Sequence, residues 1–518
     1  MHPPAAPAVR RRDFLRWTGI TAVGLGALGL PGCSVLSGGD SASGGRGGSG
    51  VLTVATQRSL DNLDPHGPFA ATEQIRLFGQ QVFDTLVARE GGQLVPAVAT
   101  SWENPEPTVW RFTLREDVTW HDGSPLTAED AAYSVRRQAE ADSPLSNLWS
   151  ALSEVTTDGP ATLVVRTEQP LGTVLANLSL LRLLPAGKAD APDFFRSPIG
   201  SGPFRVTSFV PGDHLELAAH TTYWNGAPAA GGLLLRSIPE VTTRITALES
   251  GEVQLTWPLP SDQIARLRQN GDLRLYDSPS YQHWFNWFNC SRAPFTDPRV
   301  RQAMWHAIDA ESLVANVFPE TAAVAQAPIT SAVFGFAAQR PYAYDPQRAR
   351  DLLAEAGLAG GFRTSLIWNR TQAPQIRQVA ETFVSSWREI GVEVVPQELE
   401  EAQWLERLLA LDWDMDLQTN VTATGDADYT LGRLYTSAAN RLGYANPELD
   451  TVLAGARSSV DQAERERLYG RACQILWEDA VGIWPIEMRM NFATTTDVTG
   501  FEPTPHEAPE LRTVNRAV

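Results

Sequence analysis

Cysteine is nearly absent: three in 518 residues, Cys33, Cys290 and Cys473, with no C-x-x-C pair. That excludes a disulfide scaffold and leaves nothing for a structural zinc or iron–sulfur site. Eight histidines and five methionines argue against a receptor for bare metal ions, and no H-E-x-x-H occurs. No G-x-S-x-G elbow marks a hydrolase nucleophile, and Cys290 and Cys473 lack a histidine at a recognisable catalytic spacing. Gly24–Gly29 matches G-x-G-x-x-G but follows no strand and opens no βαβ unit, so it is no dinucleotide loop. We therefore expect no enzyme, no cofactor and no metal site. Lysine occurs once, at Lys188, so the positive charge is otherwise arginine. The net charge of −18 excludes a nucleic-acid binder and a body that adheres to anionic lipid. It says nothing about the sign of charge inside a pocket.

No apolar stretch reaches the roughly 20 residues of a spanning helix. The longest, Trp17–Leu30, follows Arg10, Arg11 and Arg12, and its 14 residues suit the core of a signal peptide. Arg11-Arg12-Asp13-Phe14-Leu15-Arg16 resembles a twin-arginine export motif, and Leu30-Pro31-Gly32-Cys33 resembles a lipobox, whose cysteine is lipidated. We expect residues 1–33 to be a twin-arginine-type lipoprotein signal peptide, with Cys33 the membrane anchor. Residues 34–50, rich in Gly and Ser, form a flexible tether. The expected location is the extracytoplasmic face of a bacterial cell membrane.

Over the whole chain, 43% hydrophobic and 20% charged composition supports a packed globular body. Trp110, Phe112 and Leu114 alternate with Val109, Arg111 and Thr113, the pattern of a half-buried strand. Asp297-Pro298 and Asp345-Pro346 each read as an N-cap followed by proline in the first turn of a helix. Ile376, Val379, Phe383, Trp387 and Ile390 share one helical face, Gly391 ends that helix, and a strand follows at once. Helix, glycine and strand in that order indicate an α/β layer. In "TWHDGSPLTAED", Asp122-Gly123 is a turn and Thr127 to Asp130 fits a capping box. His121 has no partner at metal-ligand spacing, so we read it as structural.

"WRFTLREDVTWHDGSPLTAEDAAYSVRR" resembles the signature region of the family 5 extracellular solute-binding proteins, the oligopeptide, dipeptide and nickel receptors of ABC importers. The likeness continues in order through "VFDTLVARE", "SGPFRV", "YWNGAPAAGG", "FNCSRAPFTDPRVRQAMWHAID" and "ERERLYGRACQILWEDAVGIWPI". It implies a two-lobed α/β periplasmic-binding-protein-like (Venus-flytrap) fold, with an additional α/β domain on the first lobe. Mapped onto this chain, lobe I takes 51–68, 195–283 and 485–518, the additional domain 69–194 and lobe II 284–484. The implied protein is a monomer that captures a peptide or similar small polar ligand. It hands that ligand to an ABC permease with its ATPase subunits; a nickel chelate or a sugar is the alternative cargo.

The resemblance also implies where ligand touches. Tyr281, His283 and Trp287 alternate along "YQHWFNWFNC" at the crossing between lobes, where they either line the cleft or fill the core between lobes. Trp257 lies where relatives run toward the cleft. "TATGDADYTL" resembles the segment whose aspartate meets a peptide's α-amino group, which assigns Asp426 or Asp428. Relatives usually carry Gly-Trp before that loop, whereas Asn420-Val421 stand here and shift the register. Arg433 is the candidate for a ligand carboxylate.

Overall fold

A computed structural model describes residues 50–517; the export motif, Cys33 and the tether up to residue 49 lie outside the described residues. The helix starts read from sequence are built as expected. Asp297 accepts from the Arg299 amide at 2.9 Å and opens the helix Pro298–His306; Asp345 accepts from the Arg348 amide at 2.8 Å and opens Pro346–Glu355. The Asp130 carboxylate accepts from the Thr127 amide at 2.8 Å, starting Ala128–Glu140. Ile376–Glu389 ends at Gly391, whose φ of 88° suits the left-handed turn, and the strand Val392–Leu399 follows. Among the described residues no helix is long and apolar enough to cross a membrane.

Two long strands organise the molecule. Leu273–Phe288 and Gly482–Thr495 lie side by side, antiparallel, near the middle of an eleven-stranded sheet. Their first and last halves pair as Leu273–Pro279 with Arg489–Thr495. Beyond that half lie Leu255–Thr256, Val51–Thr56, Gly232–Ser237, His214–Ala219 and Phe204–Val210. Their other halves adjoin Met415–Val421, then Phe362–Asn369 and Val392–Leu399. Between the halves the register slips: Pro279 faces Arg489, but His283 faces Glu487, so Ser280, Tyr281 and Gln282 oppose Met488 alone. A bulge of this kind bends a strand and re-aims its side chains. Apolar side chains gather into separate cores accordingly, one on the Tyr281–Ile486 side, one around Leu52 to Val514, and a third under the four-stranded sheet of residues 99–167.

The motifs that carried the family resemblance converge on one junction. Asp84, of "VFDTLV", accepts from the Tyr223 hydroxyl at 2.6 Å and the Trp224 indole at 3.3 Å, and its amide donates to Ser201 Oγ. His121 accepts at Nδ1 from the Gly200 amide, and Nε2 sits 3.0 Å from the Gly202 carbonyl. Burial holds this imidazole down at about 4, neutral at physiological pH. Gly200 is required because a Cβ there would stand 1.8 Å from the Val82 carbonyl oxygen. These residues are joints, and none needs a ligand to explain it. Asp84→Ala strands the buried Tyr223 hydroxyl and the half-buried Trp224 indole and should cost about 2–3 kcal/mol in urea unfolding, with Asp84→Asn recovering most of it.

Buried carboxyls also tie stability to pH. Burial pushes Asp416 up to about 7, opposed by hydrogen bonds from Trp404 and Gln418; Glu73 rises to about 8 through burial and then the neighbouring Glu507. A carboxyl whose folded pKa is raised holds its proton after the unfolded chain has lost it. Its stabilising contribution is complete at low pH and lost as pH rises through the folded value. The buried histidines are neutral in both states above pH 7, so they do not offset this. We expect the melting temperature to fall from pH 6.5 to 8.5, and Asp416→Asn to flatten that slope.

Candidate ligand-binding cleft

Tyr281 sits in the hinge bulge, and its backbone is held from both sides: its amide donates to the Pro505 carbonyl and its carbonyl accepts from the Thr422 amide, each at 3.0 Å. The ring therefore faces a cavity of about 80 Å³ between the bodies. Three guanidinium groups converge on the same space. Arg76 comes from the helix Glu73–Val82, Arg89 from the strand Val87–Glu90, and Arg182 from the apolar run Leu180–Leu184. Arg89 donates to the carbonyls of Gly92 at 2.8 Å and Thr424 at 3.0 Å, reaching across to the opposite body; Arg182 donates to Gln80 at 2.6 Å.

Among the described residues none of the three has a carboxylate within ion-pair distance. The acids at the cavity, Glu90 and Glu510, are exposed, and Glu510 is paired with Arg512 at 3.2 Å. Burial lowers the pKa of Arg76, an effect Glu507 opposes from beyond ion-pair range. Burial, and after it the charge of Arg76, brings Arg182 down to about 10, still fully charged at neutral pH. His506 completes the wall. Burial and the three arginines hold it down at about 3, and Nδ1 accepts from the Ala508 amide at 3.3 Å. In the neutral ring the proton then sits on Nε2, which makes that nitrogen a donor. Donors and positive charge with no carboxylate in ion-pair contact make this a candidate site for an oxyanion.

Of the residues singled out from sequence, Tyr281 alone lines this cavity. Trp257 is sealed against Phe492, His283 is sealed with neither ring nitrogen partnered, and Trp287 donates its indole N–H to the Tyr435 hydroxyl at 3.0 Å inside the core. The strand carrying His283 and Trp287 has both faces covered, which its alternation of residues did not reveal. The acidic loop turns Ala423 and Thr424, not its aspartates, toward the arginines. Asp426 forms a buried ion pair with Arg465 at 2.9 Å, and Asp428 binds Arg457 at 3.1 Å. Arg433 stacks on Tyr429, 4.7 Å from the ring centre, and donates to Asn420 at 3.1 Å; with Asp426 and Asp428 it lines a neighbouring cavity. Cys290 and Cys473 are free thiols, raised by burial to about 11 and about 12.

Two α/β bodies that share only a pair of crossing strands, with a charged cleft between them, define a two-lobed binding protein rather than an enzyme. Residues 93–441 match the model of the bacterial extracellular solute-binding proteins, family 5, and the chain belongs to that family. Its members are binding proteins of ABC importers. The glutathione-binding protein GsiB of Pectobacterium atrosepticum is 27% identical over 473 residues, 87% of this chain and 90% of that one. The structure of HbpA2 from Haemophilus parasuis superposes with a TM-score of 0.85 at 24% identity, covering 90% of this chain and 100% of the other. DppA from Helicobacter pylori, solved with the peptide STSA, gives 0.72 at 23% identity, with coverage of 90% and 98%.

Proposed function

We propose that this protein is the lipid-anchored receptor of an ABC importer for a small peptide-like solute bearing two or more carboxylates, a ligand of the glutathione type. The observation that carries the reading is the meeting of Arg76, Arg89 and Arg182 on one cavity with, among the described residues, no carboxylate within ion-pair distance of any of them. The relative named a glutathione-binding protein supports it, since glutathione has two carboxylates on a tripeptide frame. Asp426 and Asp428 are already matched by arginines, so the reading rests on the ligand's carboxylates and not on its α-amino group. In this reading Cys33 carries the lipid, the 34–50 tether spans to the body, and a permease with its ATPase receives the ligand. Residues 51–68, 195–283 and 485–518 form lobe I, 69–194 the additional domain and 284–484 lobe II.

Calorimetry on the purified body tests the ligand. Reduced glutathione should bind in the micromolar range or tighter, and more weakly as salt rises. A neutral tripeptide amide, a sugar and a nickel–histidine chelate should bind far less. Equal or tighter binding of the neutral tripeptide sinks the reading.

A further inference from the structure

Beside the arginine cavity lies a larger one of about 470 Å³, and Thr424 forms part of the wall of both. One side is neutral and polar, with Asn147, Gln169 and Thr173 from the region of the four-stranded sheet. The other is charged. Its two acids are each answered by an arginine, Asp428 by Arg457 and Asp426 by Arg465. Two further guanidinium groups are left over. Arg441 has a fully buried Nε with no hydrogen-bond partner, and among the described residues neither Arg441 nor Arg433 has a carboxylate within ion-pair distance. Arg433 is held flat by its stack on Tyr429 and its bond to Asn420. A buried guanidinium nitrogen without an acceptor is costly unless something supplies one.

We propose that this second cavity is an anion subsite, built on Arg441 and Arg433, which holds the far oxyanion of an elongated ligand. The near end of that ligand sits among Arg76, Arg89 and Arg182, and this half of the statement rests on the function proposed above. The shared chemistry is a carboxylate or a phosphate group presented to a guanidinium fork. The receptor then measures length as well as charge: a ligand with anions at both ends spans the two cavities past Thr424, and a short one fills only the first.

Crystals soaked in selenate give the first test. Selenate should appear at Arg441, identified by its anomalous signal, and vanish in Arg441→Gln while persisting at the arginine cavity. Calorimetry gives the second. Oxidised glutathione, with carboxylates at both ends, should bind the native protein more tightly than reduced glutathione. Arg441→Gln and Arg433→Gln should each weaken the long ligand roughly tenfold or more and change the short one less than about twofold. A mixed disulfide of glutathione with a phosphoserine peptide, run alongside, distinguishes phosphate from carboxylate at the far end. Among the described residues the Arg441 side chain has no hydrogen-bond partner to lose, so Arg441→Gln is expected to fold, which its melting curve checks. No selenate at Arg441, or equal losses for both ligands in Arg441→Gln, overturns the subsite. If reduced glutathione binds but oxidised glutathione gains nothing, the subsite falls and the proposed function stands. If selenate occupies Arg441 while no glutathione binds, the subsite stands and that function falls.

Discussion

Gly172→Ala should raise the apparent dissociation constant at least about 100-fold, which needs only ~2.7 kcal/mol, without unfolding the protein. Gly172 follows the strand Thr162–Thr167 and belongs to the body of the four-stranded sheet. Its amide donates at 2.7 Å to the carbonyl of Arg457, near the end of the helix Pro447–Ser458 on the opposite side of the cleft. A Cβ on residue 172 would stand 1.9 Å from the Ser459 carbonyl oxygen and 3.1 Å from Arg465 Nε. Backbone cannot yield by that much, so the variant holds the two bodies apart. Within its own body the added methyl is harmless, because the nearest atoms all belong to the facing segment. The cost therefore falls on arrangements in which the two bodies touch at this point, and a bridging ligand is expected to favour those. Gly271→Ala, at a glycine with open space around it and no unusual φ, is the matched control. Small-angle scattering with saturating ligand should show contraction for the native chain and the control, and none for Gly172→Ala. Native affinity and full contraction in Gly172→Ala would remove this contact from the closing motion.

Residues with local partners and residues with distant ones differ in how far sequence reveals them. Asp297, Asp345 and the Thr127–Asp130 pair act over two or three positions, so a local pattern suffices to read them. His121 was legible as a structural residue by what it lacked, a partner at ligand spacing. The loop acids are less legible, for the opposite reason. Asp428 and Asp426 are neutralised by Arg457 and Arg465, 29 and 39 positions further on, and nothing in "TGDADY" hints at that. For His283 and Trp287 cleft and core both stay open in the sequence, because alternation cannot distinguish a strand with one covered face from a strand with two. The cleft arginines were hardest of all. They come from a helix, a hairpin and an apolar run, and with 42 basic residues and a single lysine, no arginine stands out by type. One signal was present: Arg182 is a lone charge within "LLRLL", an expensive position unless the fold uses it.

That expense yields the second large effect, in which affinity and stability move in opposite directions. Arg76→Met and Arg182→Met should each weaken glutathione binding by roughly 30-fold to several thousandfold, the range for removing one partner of a desolvated charge pair. In the ligand-free protein the same changes should stabilise, by on the order of 1 kcal/mol, because each removes a partly buried charge with, among the described residues, no carboxylate within ion-pair distance. Arg182 gives the clearer readout, since Arg76 already weighs against it across the cavity. An arginine kept for architecture would behave otherwise. Arg465, sealed in its pair with Asp426, should lose stability as methionine and so lower the melting temperature with or without ligand. Melting curves of the native chain, Arg182→Met and Arg465→Met, each with and without saturating glutathione, separate the cases. The native protein should gain most from ligand, and Arg182→Met should start higher and gain little. If Arg182→Met instead melts lower without ligand and keeps its full gain with it, Arg182 is a strut and the oxyanion must be held elsewhere.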